Sequence, residues 1–293
     1  MRIGVSLLNN QGIEDVHALV DLACRAEELG FNSVWVHDHV FNVGHVLERI
    51  GDRPYYEPLT LLSFVAARTA RVRLGTSVLV LPYHHPIRLA KTAATLDVLS
   101  GGRLILGVGV GLIEQEMRAM GSPFTERGAV TDEAIAVMRT LWTDADPVFD
   151  GRYHHFAGMK FSPKPVQRPI PVLIGGVSRA AIRRAARLGD GWHPLGLSPD
   201  ALAKSMASLG DEARAAGRDA AQIPVSIAMT LGASTPRRAA LGKDPAEIIR
   251  NARAYADLGV ETLVISAGTV DPGDARSALE MVAGEVLSAI PRG

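Results

Sequence analysis

Three consecutive polar residues, His37, Asp38 and His39, end a β-rich segment that begins at Ser33. A histidine exchanges protons near neutral pH, and a neighbouring carboxylate orients the ring and stabilises its charged form. If strand geometry continues to the end of this segment, both histidines point to one side and Asp38 to the other. We interpret the group as a candidate acid–base site. The alternative is a structural role, in which a histidine caps the strand and Asp38 binds backbone amides.

A glycine pair after another apolar segment has the placement of an anion site. Gly175, Gly176 and Val177 join a strand-like run to a helix-like run that follows Ser178. Their amides and the positive end of the helix would face the same point, which favours binding of a phosphate. A tight turn is the alternative. The glycine-rich run 107–111 lacks the last glycine of the dinucleotide motif GxGxxG, so we expect it only to keep a pocket floor open.

The elements that must position these residues alternate along the whole chain. Apolar periodicity predicts eight strands and eight helices. This number of alternating elements is typical of an α/β fold of the (β/α)8 TIM-barrel type with insertions. The predicted strands lie at about 2–8, 33–39, 73–81, 104–110, 171–175, 191–195, 223–231 and 261–267, and the helices at about 13–29, 58–69, 86–99, 127–142, 178–188, 198–216, 245–258 and 274–289. A doubly wound sheet is the second choice. Both candidate sites would lie at carboxyl ends of strands, where such barrels carry their function.

Length and composition set further limits. We expect residues 1–293 to form a single domain, with insertions near 40–57 and 143–170. The chain has 31 Lys plus Arg and 31 Asp plus Glu, so its net charge does not favour a nucleic-acid or anionic-membrane partner. Cys24 is the only cysteine, which excludes an internal disulfide and suits a reducing compartment. We find neither a signal peptide nor a transmembrane run, and we expect a cytoplasmic protein.

Several short segments occur in an order and spacing that together are specific. They are 26–35 (AEELGFNSVW), Asp38-His39, 74–78 (LGTSV), 99–103 (LSGGR), 107–111 (GVGVG), 163–167 (PKPVQ), Gly175-Gly176 and 190–192 (DGW). In these segments the chain resembles the luciferase-like flavin and deazaflavin oxidoreductases over nearly its whole length. Within that superfamily it most resembles the branch that uses the deazaflavin coenzyme F420.

The resemblance implies roles for individual residues. It makes His39 the active-site base and gives Ser77-Val78 a non-proline cis peptide bond that supports one face of the coenzyme ring. The coenzyme-binding residues that it implies are Asp38, Thr76, Ser77, Val78, Gln115, Gly175, Gly176 and Val177. It also implies a homodimer.

Departures from the pattern bear on the substrate. The sugar-phosphate dehydrogenases of this superfamily carry a glutamate acid where this sequence has Leu112, and Glu114 and Glu116 come two and four residues later. A tryptophan that follows their Asp-His pair is missing, and no lysine lies near Trp192 to receive a phosphate. We therefore do not expect glucose 6-phosphate to be the substrate.

The leading prediction is an F420-dependent oxidoreductase that transfers a hydride between the deazaflavin and a small organic substrate, with no metal. An FMN-dependent monooxygenase of the same superfamily is the alternative. A metal-dependent hydrolase is a remote third, because His37 and His39 have the His-x-His spacing of a metal site but only His193 could complete it. A catalytically silent coenzyme-binding protein is the fourth.

Overall fold

A computed structural model describes residues 1–236 and 238–290. In these residues eight parallel strands form the central sheet: β1 (Arg2–Ser6), β2 (Ser33–Val36), β3 (Arg73–Thr76), β5 (Leu104–Gly109), β8 (Val172–Gly175), β9 (Gly191–His193), β10 (Ser226–Thr230) and β11 (Thr262–Ser266). The short strand β4 (Leu79–Val80) pairs with the end of β5, and β6 (Phe149–Asp150) and β7 (His155–Phe156) form a separate hairpin.

The strand order closes the sheet on itself. The strands run β10-β11-β1-β2-β3-β5-β8-β9, and parallel bridges from Trp192 to Val225 and from Leu195 to Ala228 join the last strand to the first. A doubly wound sheet has two open edges, so that alternative is wrong. The predicted (β/α)8 TIM barrel is confirmed.

The helices of the described residues are α1 (Val16–Glu28), α2 (His45–Ile50), α3 (Pro58–Arg68), α4 (Pro86–Leu99), α5 (Glu114–Ala119), α6 (Arg127–Thr143), α7 (Arg179–Leu188), α8 (Pro199–Ala215), α9 (Pro245–Asp257) and α10 (Pro272–Met281). The short helices α2 and α5 lie in the connections that follow β2 and β5, and the longer helices cover the outside of the barrel. Local sequence explains where several begin. The side chains of Asp15, Ser178 and Ser198 accept hydrogen bonds from amides in the first turns of α1, α7 and α8, and five helices start with proline, whose missing N–H costs nothing there. None of the helices described is long and apolar enough to cross a membrane.

The barrel interior is narrow and filled by side chains. Trp35, Ile105, Leu173, Ala228 and Val264 form a buried cluster there, each from a different strand. A Cβ atom on Gly75 would lie 2.3 Å from the Trp35 ring, so this large side chain fits only because the next strand carries a glycine. The packed interior closes the barrel below its mouth.

Each of the two long connections adds a short element to the barrel. Helix α2 lies within residues 40–57, and the β6–β7 hairpin lies within residues 143–170. Glu133 of α6 holds the hairpin, since its carboxylate accepts hydrogen bonds from the amides of Arg152 and Tyr153 and contacts Nδ1 of His154 at 2.9 Å.

Candidate active site

The acid–base group predicted from the sequence lies at the barrel mouth, but its three side chains go in different directions. Strand β2 ends at Val36, so the strand alternation assumed for His37, Asp38 and His39 does not extend to them. His37 reaches into the barrel, whereas Asp38 and His39 bind residues of the loops around the mouth.

His39 is paired with a buried glutamate that comes from α5. Its Nδ1 lies 2.8 Å from Oε2 of Glu116. A carboxylate only accepts, so Nδ1 carries the proton and Nε2 is left without a partner in the described residues. The His39 side chain is 19% exposed, while that of Glu116 is fully buried. The imidazole is therefore oriented by a carboxylate and has one nitrogen available to a ligand.

Glu116 accepts more than one hydrogen bond. Tyr83 donates its hydroxyl to Oε2 at 2.8 Å, and the amides of Val40 and Phe41 donate to Oε1 at 2.5 and 3.0 Å. Burial raises the pKa of Glu116, but the hydrogen bonds from His39, the two amides and Tyr83 outweigh it and leave the pKa lowered. Glu116 thus remains a carboxylate, able to stabilise a charged His39.

Asp38 is held by the loop that follows β4. Its Oδ2 accepts the amide of Val80 at 2.9 Å and lies 2.8 Å from Nε2 of His84. Burial lowers the pKa of His84, but the hydrogen bond to Asp38 and its charge raise it overall. Oδ1 of Asp38 has no partner in the described residues, so it can accept a hydrogen bond from a bound molecule.

A polar layer with two further histidines lies directly beneath the mouth. His37 donates from Nδ1 to the carbonyl of Ser77 (2.7 Å), and its Nε2 accepts from the hydroxyl of Ser6 (2.8 Å). His193 lies between the hydroxyls of Ser77 and Ser226, at 2.8 and 2.5 Å, and stacks on Trp35. Burial lowers the pKa of both histidines to about 4, so both rings are neutral at pH 7.

Two glycines make room for Val78 in the middle of the mouth. Cβ atoms added to Gly109 and Gly175 would lie 2.8 and 2.7 Å from the Val78 side chain. The peptide bond between Ser77 and Val78 is cis, as the resemblance implies. Val78 is partly exposed and forms an apolar floor at this point.

The predicted anion site has the expected local form. Strand β8 ends at Gly175, Gly176 has φ +102°, and Ser178 caps α7 by accepting the amide of Ala181. No partner for the amides of Gly176 and Val177 is found within the described residues. These free donors stand at the positive end of a ten-residue helix.

Two of the implied coenzyme-binding residues, Thr76 and Gln115, have different surroundings. Thr76 is fully buried and donates its hydroxyl to the carbonyl of Gly107, so that hydroxyl is already used. Gln115 is exposed on α5, while the next residue, Glu116, points into the site. In the sequence, Glu116 stands out only as an acid four residues beyond the position at which the related dehydrogenases carry theirs. The signal that could have found its role is its position on the first helix after the 107–111 segment.

Two surface cavities lie away from this site. One, of about 540 Å³, lies on α9 beside Ile249 and Arg253, and the other, of about 500 Å³, lies at the amino-terminal end of the barrel near Glu27 and Arg71. Neither cavity is lined by a residue of the mouth. In such barrels the carboxyl ends of the strands carry the function.

Fold and site together define a class: a TIM-barrel enzyme with an oriented histidine and an apolar floor at the carboxyl ends of its strands. Residues 1–281 match the family described as luciferase-like monooxygenase, and the chain belongs to that family. The resemblance seen in the sequence is confirmed.

Individual comparisons agree with this membership. An uncharacterized protein of Mycobacterium tuberculosis (strain ATCC 25618 / H37Rv) is 34% identical over 208 residues, 67% of this chain and 72% of that protein. The F420-dependent glucose-6-phosphate dehydrogenase of Kineococcus radiotolerans is 34% identical over 248 residues, 83% of this chain and 69% of that enzyme. An F420-dependent secondary alcohol dehydrogenase, solved in complex with an F420–acetone adduct, matches 99% of both chains with TM-score 0.84 at 19% identity, which shows the shared fold.

Proposed function

We propose that this protein is an F420-dependent oxidoreductase that transfers a hydride between the deazaflavin and a small organic substrate. The observation that carries the proposal is the His39–Glu116 pair, because the carboxylate orients the imidazole and leaves Nε2 without a partner in the described residues. Val78 and the free amides after β8 follow strand ends at the same end of the barrel. The similarity to F420-dependent enzymes over most of the chain supports the choice of coenzyme.

The residues present fit such a coenzyme. Val78 in its glycine surroundings would support the ring, and Oδ1 of Asp38 is free to accept a hydrogen bond from it. The amides of Gly176 and Val177 would hold the phosphate at the start of α7. When bound, F420 supplies or accepts the hydride, and the protein supplies position and electrostatics.

His39 would manage the proton that accompanies the hydride. Nε2 gives a proton to the substrate in one direction and takes one in the other, while Glu116 holds Nδ1–H and stabilises the charged ring. Turnover would be tested with His39→Ala across a substrate panel: full activity in that variant, with coenzyme still bound, would favour a silent binding protein or another base.

FMN is the second coenzyme candidate, since the family is described as luciferase-like monooxygenase. Titration of the purified protein with F420 and with FMN separates the two. We expect tight binding of F420 and substrate turnover with it. Tight FMN binding with no affinity for F420 would overturn the proposal. We do not expect glucose 6-phosphate to be the substrate, because Leu112 stands where the dehydrogenases of the superfamily carry their acid.

The geometry gives no support to the metal-dependent hydrolase. Both ring nitrogens of His37 are engaged by Ser6 and Ser77, so His37 and His39 do not converge on one point. In the described part of the chain no three His, Cys, Asp or Glu side chains come together to hold a metal ion. Zinc analysis of the purified protein checks this directly.

Homodimer formation and a cytoplasmic location are further parts of the proposal. Exposed apolar side chains at Val98, Leu99 and Val166 support the first, since a dimer would cover apolar surface of this kind. Light scattering on the eluting protein measures the oligomeric state, and a monomer at micromolar concentration would contradict it.

A further inference from the structure

A tyrosine between α2 and α3 lies beside His39 with a hydroxyl that the rest of the site does not use. The rings of Tyr55 and His39 meet edge to face, with centroids 5.7 Å apart. Tyr55 is partly buried, and its hydroxyl makes no hydrogen bond within residues 1–236 and 238–290. Tyrosine hydroxyls removed from solvent usually find a partner, so this one points to a ligand.

The neighbouring tyrosines show the contrast. Tyr83 donates its hydroxyl to Oε2 of Glu116 at 2.8 Å, and Tyr56 donates to the carbonyl of Glu14 at 2.8 Å. Both hydroxyls are committed to the protein. Tyr55 alone of these three has its donor and its acceptor free for a bound molecule.

The charges around Tyr55 favour a neutral ligand. Burial, together with the charges of Asp38 and Glu116, raises the pKa of Tyr55, so the phenol stays protonated and can donate. The same two carboxylates disfavour an anion at this place. The positive charge that also acts on Tyr55 is that of Arg49, whose guanidinium donates to the carbonyl of Asn10 at 3.0 Å.

Exposed apolar side chains surround the mouth and indicate the polarity of the ligand. They follow four strands, β2, β5, β8 and β9, and are Val40, Phe41, Leu112, Val177 and Leu195. Leu112 is 81% exposed. Residues of this kind at the rim of a site favour a ligand with an apolar body and few polar atoms.

We propose that the hydroxyl of Tyr55 binds the oxygen of a neutral ketone or secondary alcohol beside His39. Uncharged ketones and the corresponding secondary alcohols are then the substrate class. The inference rests on the proposed F420-dependent function and adds to it the substrate class and a substrate-binding residue. Tyr55 donates to the carbonyl oxygen and His39 Nε2 supplies the proton, so two groups meet at the one oxygen that changes charge.

The reaction balances without another reactant. In reduction the carbonyl carbon gains a hydride from the reduced coenzyme, and the π electron pair of the C=O bond moves to oxygen, which takes one proton from His39. The coenzyme's own proton restores His39, directly or through water. The products are a secondary alcohol and the oxidised coenzyme, and Tyr55 keeps its proton throughout.

The test compares Tyr55→Phe with Tyr56→Phe, which removes the hydroxyl of the adjacent residue, committed to Glu14. The Kd of F420 is measured on each coenzyme-free protein. Each F420-loaded protein is then used to measure the binding of cyclohexanone by calorimetry and kcat/KM for cyclohexanone with reduced F420. Glucose 6-phosphate is the anionic comparison with the oxidised coenzyme. We expect F420 binding to change less than about threefold in either variant. In Tyr55→Phe, kcat/KM should fall about ten- to a hundredfold, the effect of one lost hydrogen bond to an oxygen that gains charge, and Tyr56→Phe should match the wild type.

The outcomes separate this inference from the function on which it rests. If the wild-type protein does not bind F420, both the proposed function and this inference are wrong. If F420 binds but the wild type neither binds nor reduces cyclohexanone, or if it prefers glucose 6-phosphate, the substrate class is wrong while the coenzyme assignment stands. Equal losses in the two variants would show that Tyr55 has only a structural role.

Discussion

Replacement of Glu116 by glutamine tests whether the carboxylate orients and charges His39. The amide oxygen of the glutamine keeps the hydrogen bonds from Val40 and Phe41, since both are donors. The amide NH2 then takes the place of Oε2, which now accepts from His39 Nδ1 and Tyr83 at 2.8 Å each. An NH2 group cannot accept, so His39 has to move its proton from Nδ1 to Nε2 to keep the contact.

The size of the effect follows from these contacts. Two hydrogen bonds to a charged acceptor are replaced by weaker ones, which costs on the order of 2 kcal/mol of stability, partly offset because a buried charge is removed. The larger effect is on the reaction, because the charged ring from which Nε2 would give its proton loses its carboxylate partner. A positioned acid or base contributes about 10²- to 10⁴-fold, so we expect kcat to fall about a hundredfold. The Kd of F420 should stay within about threefold, since Glu116 does not face the phosphate site.

Steady-state kinetics with reduced F420 measure the change, and Glu114→Gln is the matched control. Glu114 lies two residues earlier on α5, is exposed, and pairs with Arg118 at 2.6 Å. That variant should behave as the wild type. The reasoning is refuted if Glu116→Gln keeps kcat within about threefold, or if the two variants lose activity equally.

Two further predictions concern the floor and the layer below it. In Gly175→Ala the added Cβ would lie 2.7 Å from Val78, so we expect about tenfold weaker F420 binding, measured by titration; Gly210→Ala, with its nearest neighbour at 3.8 Å, should bind normally. Stability should depend on pH through His37 and His193, whose folded pKa of about 4 lies below the ordinary 6.5. The unfolded chain binds more protons between these values, so stability is full above about pH 6.5 and falls toward pH 4. At pH 5 the free energy of unfolding should be lower by about 2 kcal/mol per histidine, as measured by urea titration. The variant His193→Gln should show a smaller loss.

The sequence was sufficient for the architecture because the barrel repeats one local rule. Each apolar run is covered on both faces, and glycine or a capping residue marks the helix ends, as at Gly30 and Ser178. The closure between β9 and β10 could not be read in this way, since it rests on two isolated bridges of Trp192 and Leu195.

The site was predicted only in part, for a physical reason. His39, Asp38 and Val78 lie at strand ends, where the topology determines their position. Glu116 and Tyr55 come from a helix and a long connection, and which side chain points inward there depends on packing. Gln115 and Glu116 are adjacent and both polar, and only the three-dimensional structure shows that Glu116 is the one that turns to His39.

Three of the histidines at and below the mouth, His37, His39 and His193, show how one residue type takes two roles within a short distance. His37 and His193 have only hydroxyl and carbonyl partners, so burial dominates and both stay neutral at pH 7. His39 has a carboxylate partner and a free Nε2. The carboxylate thus orients His39 at the mouth, while the neutral layer below keeps Ser77 in place by binding both its carbonyl and its hydroxyl. That division suits the proton exchange proposed for His39, because a charged imidazole beneath it would repel a second positive charge.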